Sequence, residues 1–150
     1  MVSHAVLFAI AVLWVSYCFA ELEIAIEGPH GWAQNLPTWR LPEGHWANAL
    51  VCGKQLTGYH FWSIVFVFSV LHAPYLFVAP TWALEMQILA FFSLFWVLED
   101  FLWFVRNPAF GMTNFRPDKI AWHVKWWGFA PRDYFLGSAV GVALYAASIG

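Results

Sequence analysis

Four apolar runs organise the chain, over residues 3–26, 57–78, 82–106 and 134–149. A helix rises 1.5 Å per residue, so about 20 apolar residues cross the roughly 30 Å hydrocarbon core of a bilayer. The runs therefore predict four transmembrane helices. Thr57 stands where an N-cap belongs, and Pro80 marks a tight connection between the second and third runs. Residues 28–56 are rich in breakers (Gly28, Pro29, Gly31, Pro37, Pro42, Gly44, Gly53) and hold Trp32, Trp39 and Trp46. They predict a loop lying on the membrane, with one short helix over about 43–52. Within it, Leu36–Arg40 reads as an extended segment that lays a Trp and a guanidinium at headgroup level. Residues 107–133 predict a second long loop. In it Asp118 caps a short helix running to Trp127, and Gly128 stops that helix. The fold these elements predict is all-α: an integral membrane protein whose single domain, residues 1–150, is a four-helix transmembrane bundle with two long interfacial loops on the same side.

Composition strengthens this reading. Of 150 residues, 61% are hydrophobic and 11% charged, against roughly 25% charged in an average soluble domain. The first run has no positively charged n-region, so it reads as a span and not as a signal peptide. A net charge of −2 without a basic patch argues against nucleic acid as a partner. Cys18 and Cys52 stand in no CxxC or zinc-ribbon spacing and are expected to act as small apolar fillers.

Charge placement sets the orientation. The seven basic residues, Arg40, Lys54, Arg106, Arg116, Lys119, Lys125 and Arg132, all lie in the two long loops or at their helix ends. The positive-inside rule makes that side cytoplasmic and puts both termini outside. The expected location is a bacterial cell (inner) membrane.

Polar residues within the runs then gather at one depth. Glu23 and Glu27, four apart on one helical face, close the first span, and Glu21 points the other way. His60 opens the second. Glu99 and Asp100 lie about two turns, roughly 10 Å, from the cytoplasmic end of the third. His123 sits in the loop that folds back over them. A charge at the bilayer centre costs roughly 2.5–3.5 kcal/mol on insertion scales, so two adjacent carboxylates need partners. Adjacent helical residues point about 100° apart. Glu99, on one face with Trp96 and Trp103, is therefore the inward candidate, and Asp100 is the candidate to pair with Arg106 or Arg40.

Carboxylates and histidines from separate helices are the ligand types of di-iron and zinc sites. The leading expectation is thus a metal-dependent membrane enzyme acting on a lipid-soluble substrate. It has a divalent iron or zinc ion on Glu23, Glu27, His60, Glu99 and His123, with Asp100 and His123 in catalytic roles. Metal-free acid–base chemistry at the same cluster is a second reading, with tryptophans as its walls. The alternative is a non-catalytic Trp-rich lipid- or cofactor-binding subunit of a larger membrane complex, whose charged cluster is structural. Membrane lipid and a hydrophobic small molecule are the expected partners. Gly137 and Gly141, in a GxxxG spacing, offer a face for a homodimer or a larger complex. In tryptophan content the chain resembles the small tryptophan-rich sensory proteins of the translocator family. In setting acidic residues beside Trp within a small bundle, it is similar to sterol-isomerase-like membrane proteins. No residue is carried over from either.

Overall fold

The computed structural model describes residues 3–150. It is mostly helical, with α1 over His4–Glu27, α2 over Gly58–Leu71, α3 over Trp82–Arg106 and α4 over Arg132–Ile149. Two of these, α1 and α3, are long and apolar enough to cross a membrane. α2 spans only about 21 Å at 1.5 Å per residue, because it stops well short of the expected residue 78. Pro74 cannot continue a helix, and Ala73–Leu76 tightens into a 3-10 turn instead.

α3 is the central element, with α1 and α4 packed along it and α2 touching it only sparsely. The buried positions of α1 are Val12, Ser16, Ala20, Glu23 and Glu27, spaced by three or four as one stripe. Small residues let the backbones approach. Ala20 and Ala90 are fully buried, and the Ser16 hydroxyl donates to the Phe95 carbonyl at 3.2 Å. Leu7, Ile10, Leu13, Trp14 and Leu22, on the rest of α1, are exposed. Neighbouring contacts show alternating directions. Ser16 meets Phe95 and Glu21 meets Arg106, so α1 runs parallel to α3. Phe68 packs on Phe92 while His72 reaches back to Glu85, so α2 runs antiparallel to α3. His4 of α1 reaches Tyr145 of α4 at 3.4 Å, which puts the start of α1 and the last turns of α4 together, opposite the long loops.

Gly137 and Gly141 are spent within the chain. A Cβ on Gly137 would lie 2.6 Å from Val97 Cγ2, and one on Gly141 2.5 Å from Leu94 Cγ. The expected docking face for a second copy is therefore already filled by α3.

The loops differ in detail from the expectation. The 43–52 helix is a 3-10 turn over Trp46–Val51, capped by the His45 ring accepting from Ala47 N–H at 3.2 Å. The 118–127 helix does not form. Asp118 pairs with Arg116 at 3.1 Å, and the chain makes a small hairpin, β1 (Trp126–Trp127) against β2 (Ala130–Pro131). Aromatic residues favour a pleated strand. Gly128, at φ +62°, supplies the left-handed position that a two-residue turn requires. Of the expected extended segment 36–40, Leu36 and Pro37 bend, while residues 39–40 continue with Leu41 as a strand-like run against 56–58, Leu41 N–H donating to the Leu56 carbonyl at 2.9 Å. Both cysteines are free and exposed, not core fillers.

Candidate functional site

The stripe that packs α1 on α3 ends in carboxylates, and the sequence delivers other polar groups to the same end. Thr57 caps α2, accepting from His60 N–H at 3.2 Å, so His60 stands at its first turn. Trp96, Glu99 and Trp103 follow one another at three- and four-residue spacing along α3 and so share a face. The two long loops close over them, with Asn107 donating to the Gly28 carbonyl at 2.9 Å. Between these elements lies a cavity of about 490 Å³. Its polar end is lined by Glu23, Glu27, Trp32, Lys54, His60, Glu99 and Asp100. Its apolar body runs past Leu89, Phe92, Val97, Val140 and Leu144. Sites for small organic molecules run about 300–1,000 Å³.

Glu23 and Glu99 stand close to one another on the cavity wall, with Tyr59 beside Glu23. Both residues are more than nine-tenths buried. Glu23 Oε1 and Glu99 Oε1 find no partner among the described residues, and neither do the indole nitrogens of Trp96 and Trp103. Glu27 lies beside this pair, 3.8 Å from His60 Nε2. His60 Nδ1 sits 2.7 Å from the Thr57 hydroxyl. That hydroxyl already accepts from His60 N–H, and its own hydrogen is free to donate to Nδ1. When it donates there, the ring proton sits on Nε2, on the side of Glu27.

Asp100 has a different set of neighbours. It accepts from Lys54 Nζ at 3.3 Å and from His123 Nε2 at 2.9 Å, and it takes a short bond from the Tyr134 hydroxyl. Asp133 completes the network, 3.9 Å from Lys54 Nζ and 3.3 Å from His123 Nδ1. The latter contact is close enough for charge but off the line of a hydrogen bond, since Nδ1 has no bonded partner among the described residues. Burial of the His123 ring opposes its protonation. The Asp100 carboxylate outweighs that and, with Asp133, holds the ring above its ordinary pKa.

A strained turn roofs the site. Trp32 and Ala33 both take positive φ, 57° and 52°, a conformation that costs a non-glycine residue about 1–3 kcal/mol. Glu27 Oε1 accepts from Ala33 N–H, and Arg40 donates to the Trp32 and Ala33 carbonyls. The turn lays the Trp32 ring flat on His60, centroids 3.8 Å apart, while its indole N–H donates to the Gln55 carbonyl at 2.7 Å. Lys54 Nζ stands 4.6 Å over the same indole.

The structure thus brings Glu23, Glu27, His60 and Glu99 together on one cavity wall, with Asp100 beside them, and it divides the expected ligand set. His123 stands with Asp100, Lys54 and Asp133 and not with the glutamates. Among the described residues no group of three His, Cys, Asp or Glu side chains is arranged to hold a metal ion. Asp100 takes Lys54 where Arg106 or Arg40 was expected. Arg106 pairs instead with Glu21 at 2.6 Å on the exposed side, and Arg40 donates to carbonyls within its own loop. Lys54, Asp133, Tyr134 and Tyr59 are site residues that sequence reasoning missed, of which Lys54 alone carried a signal, as a basic residue just ahead of α2; Trp32 is one of the tryptophans of the first long loop. Comparison with protein-family models, curated proteins and solved structures gives no match for this chain.

Proposed function

We propose that this chain is a four-span membrane enzyme. It draws a lipid-soluble molecule sideways from the bilayer and moves protons on it with Glu99 and Glu23, supported by Glu27 and His60. The observation that carries this reading is the gathering of Glu23, Glu27, His60 and Glu99, each more than nine-tenths buried, on the wall of a largely apolar cavity. A carboxyl pair holding one proton between them can give a proton at one atom of a substrate and take one at another. Trp32 and the long loops cover the polar end, and sparse packing of α2 on α3 gives the apolar body an approach from lipid. Asp100 and His123 act as positioning groups, fixing Lys54 and Tyr134 at the rim.

The orientation that accompanies this reading puts the cavity's polar end toward the cytoplasm of a bacterial inner membrane and both termini outside. A reporter fused after Gly150 should read extracytoplasmic, and a cytoplasmic reading would overturn the assignment. The chemistry is tested on purified protein in nanodiscs, incubated in D2O with a membrane lipid extract. Wild type should place deuterium at a carbon of one lipid class. Glu99→Gln should slow this by about 10²–10⁴-fold, the usual contribution of a general acid or base. No incorporation by wild type would leave a lipid- or cofactor-binding subunit. Stoichiometric iron or zinc that Glu99→Gln abolishes would return the metal-dependent reading in place of this one.

A further inference from the structure

The hairpin of β1 and β2 has two unlike faces. On the inner one, Trp126 packs on Phe115 with ring centroids 5.3 Å apart, and its indole nitrogen donates to the His123 carbonyl at 3.1 Å. Successive strand residues point to opposite sides, so Trp127 turns outward, and Phe129 follows across the turn at Gly128. Trp127 is 52% exposed and Phe129 82%. Both rings rest on Phe135 of α4, with centroids 6.0 and 5.7 Å away, and Phe135 is itself exposed. Beside this aromatic face the charge is of one sign. Arg116, Lys119, Lys125 and Arg132 share their stretch of loop with one carboxylate, Asp118, which Arg116 holds at 3.1 Å. Lys119 and Lys125 are exposed and have no carboxylate left in that stretch.

Depth decides what covers this face. α4 lies antiparallel on α3, with Gly137 against Val97 and Gly141 against Leu94. At its first turn the Tyr134 ring reaches Phe101, centroids 6.5 Å apart. Phe135 therefore stands level with the neighbourhood of Phe101, five residues inside the end of α3 at Arg106, about 7.5 Å at 1.5 Å per residue. α3 is long and apolar enough to cross a membrane. Rings that flank it at this distance from its end meet the boundary between headgroups and acyl chains, where Trp gathers and where interfacial segments sit about 5–10 Å deep. We infer that residues 124–131 form a lateral anchor on a surface of anionic phospholipid. Trp127 and Phe129 enter the acyl boundary, and Lys125 meets the phosphates. Charge favours lipid over a second copy of this chain, since a two-fold contact sets a face against itself and would bring cation to cation. The anchor needs α3 to lie in a bilayer and is independent of the proton chemistry at the cavity.

The test uses the full chain in nanodiscs of mixed phosphatidylglycerol and phosphatidylcholine. Cys18 and Cys52, both exposed, are first replaced by Ser. A nitroxide is then attached at Phe129→Cys or, separately, at Trp127→Cys. Oxygen, which partitions into lipid, should relax both labels more strongly than a nickel chelate that stays in water. A stronger effect of the nickel chelate at both sites would put the hairpin in water and overturn the anchor. Labels shielded from both reagents would show a protein surface on this face and overturn it equally. The lipid class is read by native mass spectrometry of protein released from the same discs. Wild type should retain phosphatidylglycerol in preference to phosphatidylcholine, and Lys125→Gln should reduce that preference about fivefold, the usual effect of one basic residue at an anionic surface. Equal retention of the two lipids by wild type, or a preference unchanged in Lys125→Gln, would overturn the anionic assignment.

Discussion

Asp100→Ala is expected to destabilise the protein by about 3–5 kcal/mol, the usual cost of removing one partner from a buried ion pair. The substitution takes from Lys54 and His123 the carboxylate that bonds them both, leaving only Asp133 at 3.9 and 3.3 Å, and leaves the Tyr134 hydroxyl without its acceptor. The His123 side chain is fully buried and that of Lys54 is one-tenth exposed, so water cannot take over. Breaking the Glu21–Arg106 pair should be nearly silent by contrast. Those side chains are 39% and 49% exposed, and surface pairs contribute about 0–1 kcal/mol. Thermal unfolding of Asp100→Ala and Glu21→Ala in detergent compares them directly, and equal losses would contradict the network. pH carries the same signature. The folded state holds His123 above its ordinary pKa of 6.5. Its contribution to stability is therefore complete below that value and falls away as pH rises through the elevated one. A midpoint that drops from pH 6 toward alkaline pH in wild type, and is flatter in His123→Gln, is the expected result. A wild-type profile no steeper than the variant's would refute it.

Arg40→Ala is expected to cost about 2–4 kcal/mol, since two charge-assisted bonds are lost at about 1.5–3 kcal/mol each and the site is only partly buried. Arg40 holds the carbonyls of two residues forced into left-handed backbone. Without it the strain at Trp32 and Ala33 can relax, and the indole should lift from His60. Near-ultraviolet circular dichroism should lose the signal of the Trp32–His60 stack, and the proposed deuterium incorporation should fall with it. Arg40→Lys should recover little, because an ammonium lacks the planar fork that reaches both carbonyls. An unchanged dichroism spectrum in Arg40→Ala would show that the turn is held by Glu27 alone.

What could be read along the chain follows from periodicity and charge cost. The apolar runs located all four helices, because long apolar segments have few other structures open to them. α2 ends at Leu71, ahead of Pro74 and short of residue 78, and Trp126–Trp127 form a strand where the pattern predicts the last turn of a helix stopped by Gly128, since short aromatic runs fit strand and helix alike. Glu99 and Asp100 could be separated before any coordinates, because neighbours on a helix point about 100° apart. Glu23, Glu27 and His60 followed from sharing that depth.

The partners could not be read in this way. Lys54 and Asp133 lie far from Asp100 in sequence, and their choice of one another depends on where two loops cross. The left-handed turn at Trp32–Ala33 carries no glycine to announce it. It exists because Glu27 and Arg40 reach it from elsewhere in the fold. By itself the sequence determined the helices and the depth of the polar groups, since hydrophobicity and helical pitch act locally. Only the tertiary structure decided which carboxylate is satisfied and which is left open to a cavity, because a hydrogen bond depends on distances of a few ångströms between segments that no local rule brings together.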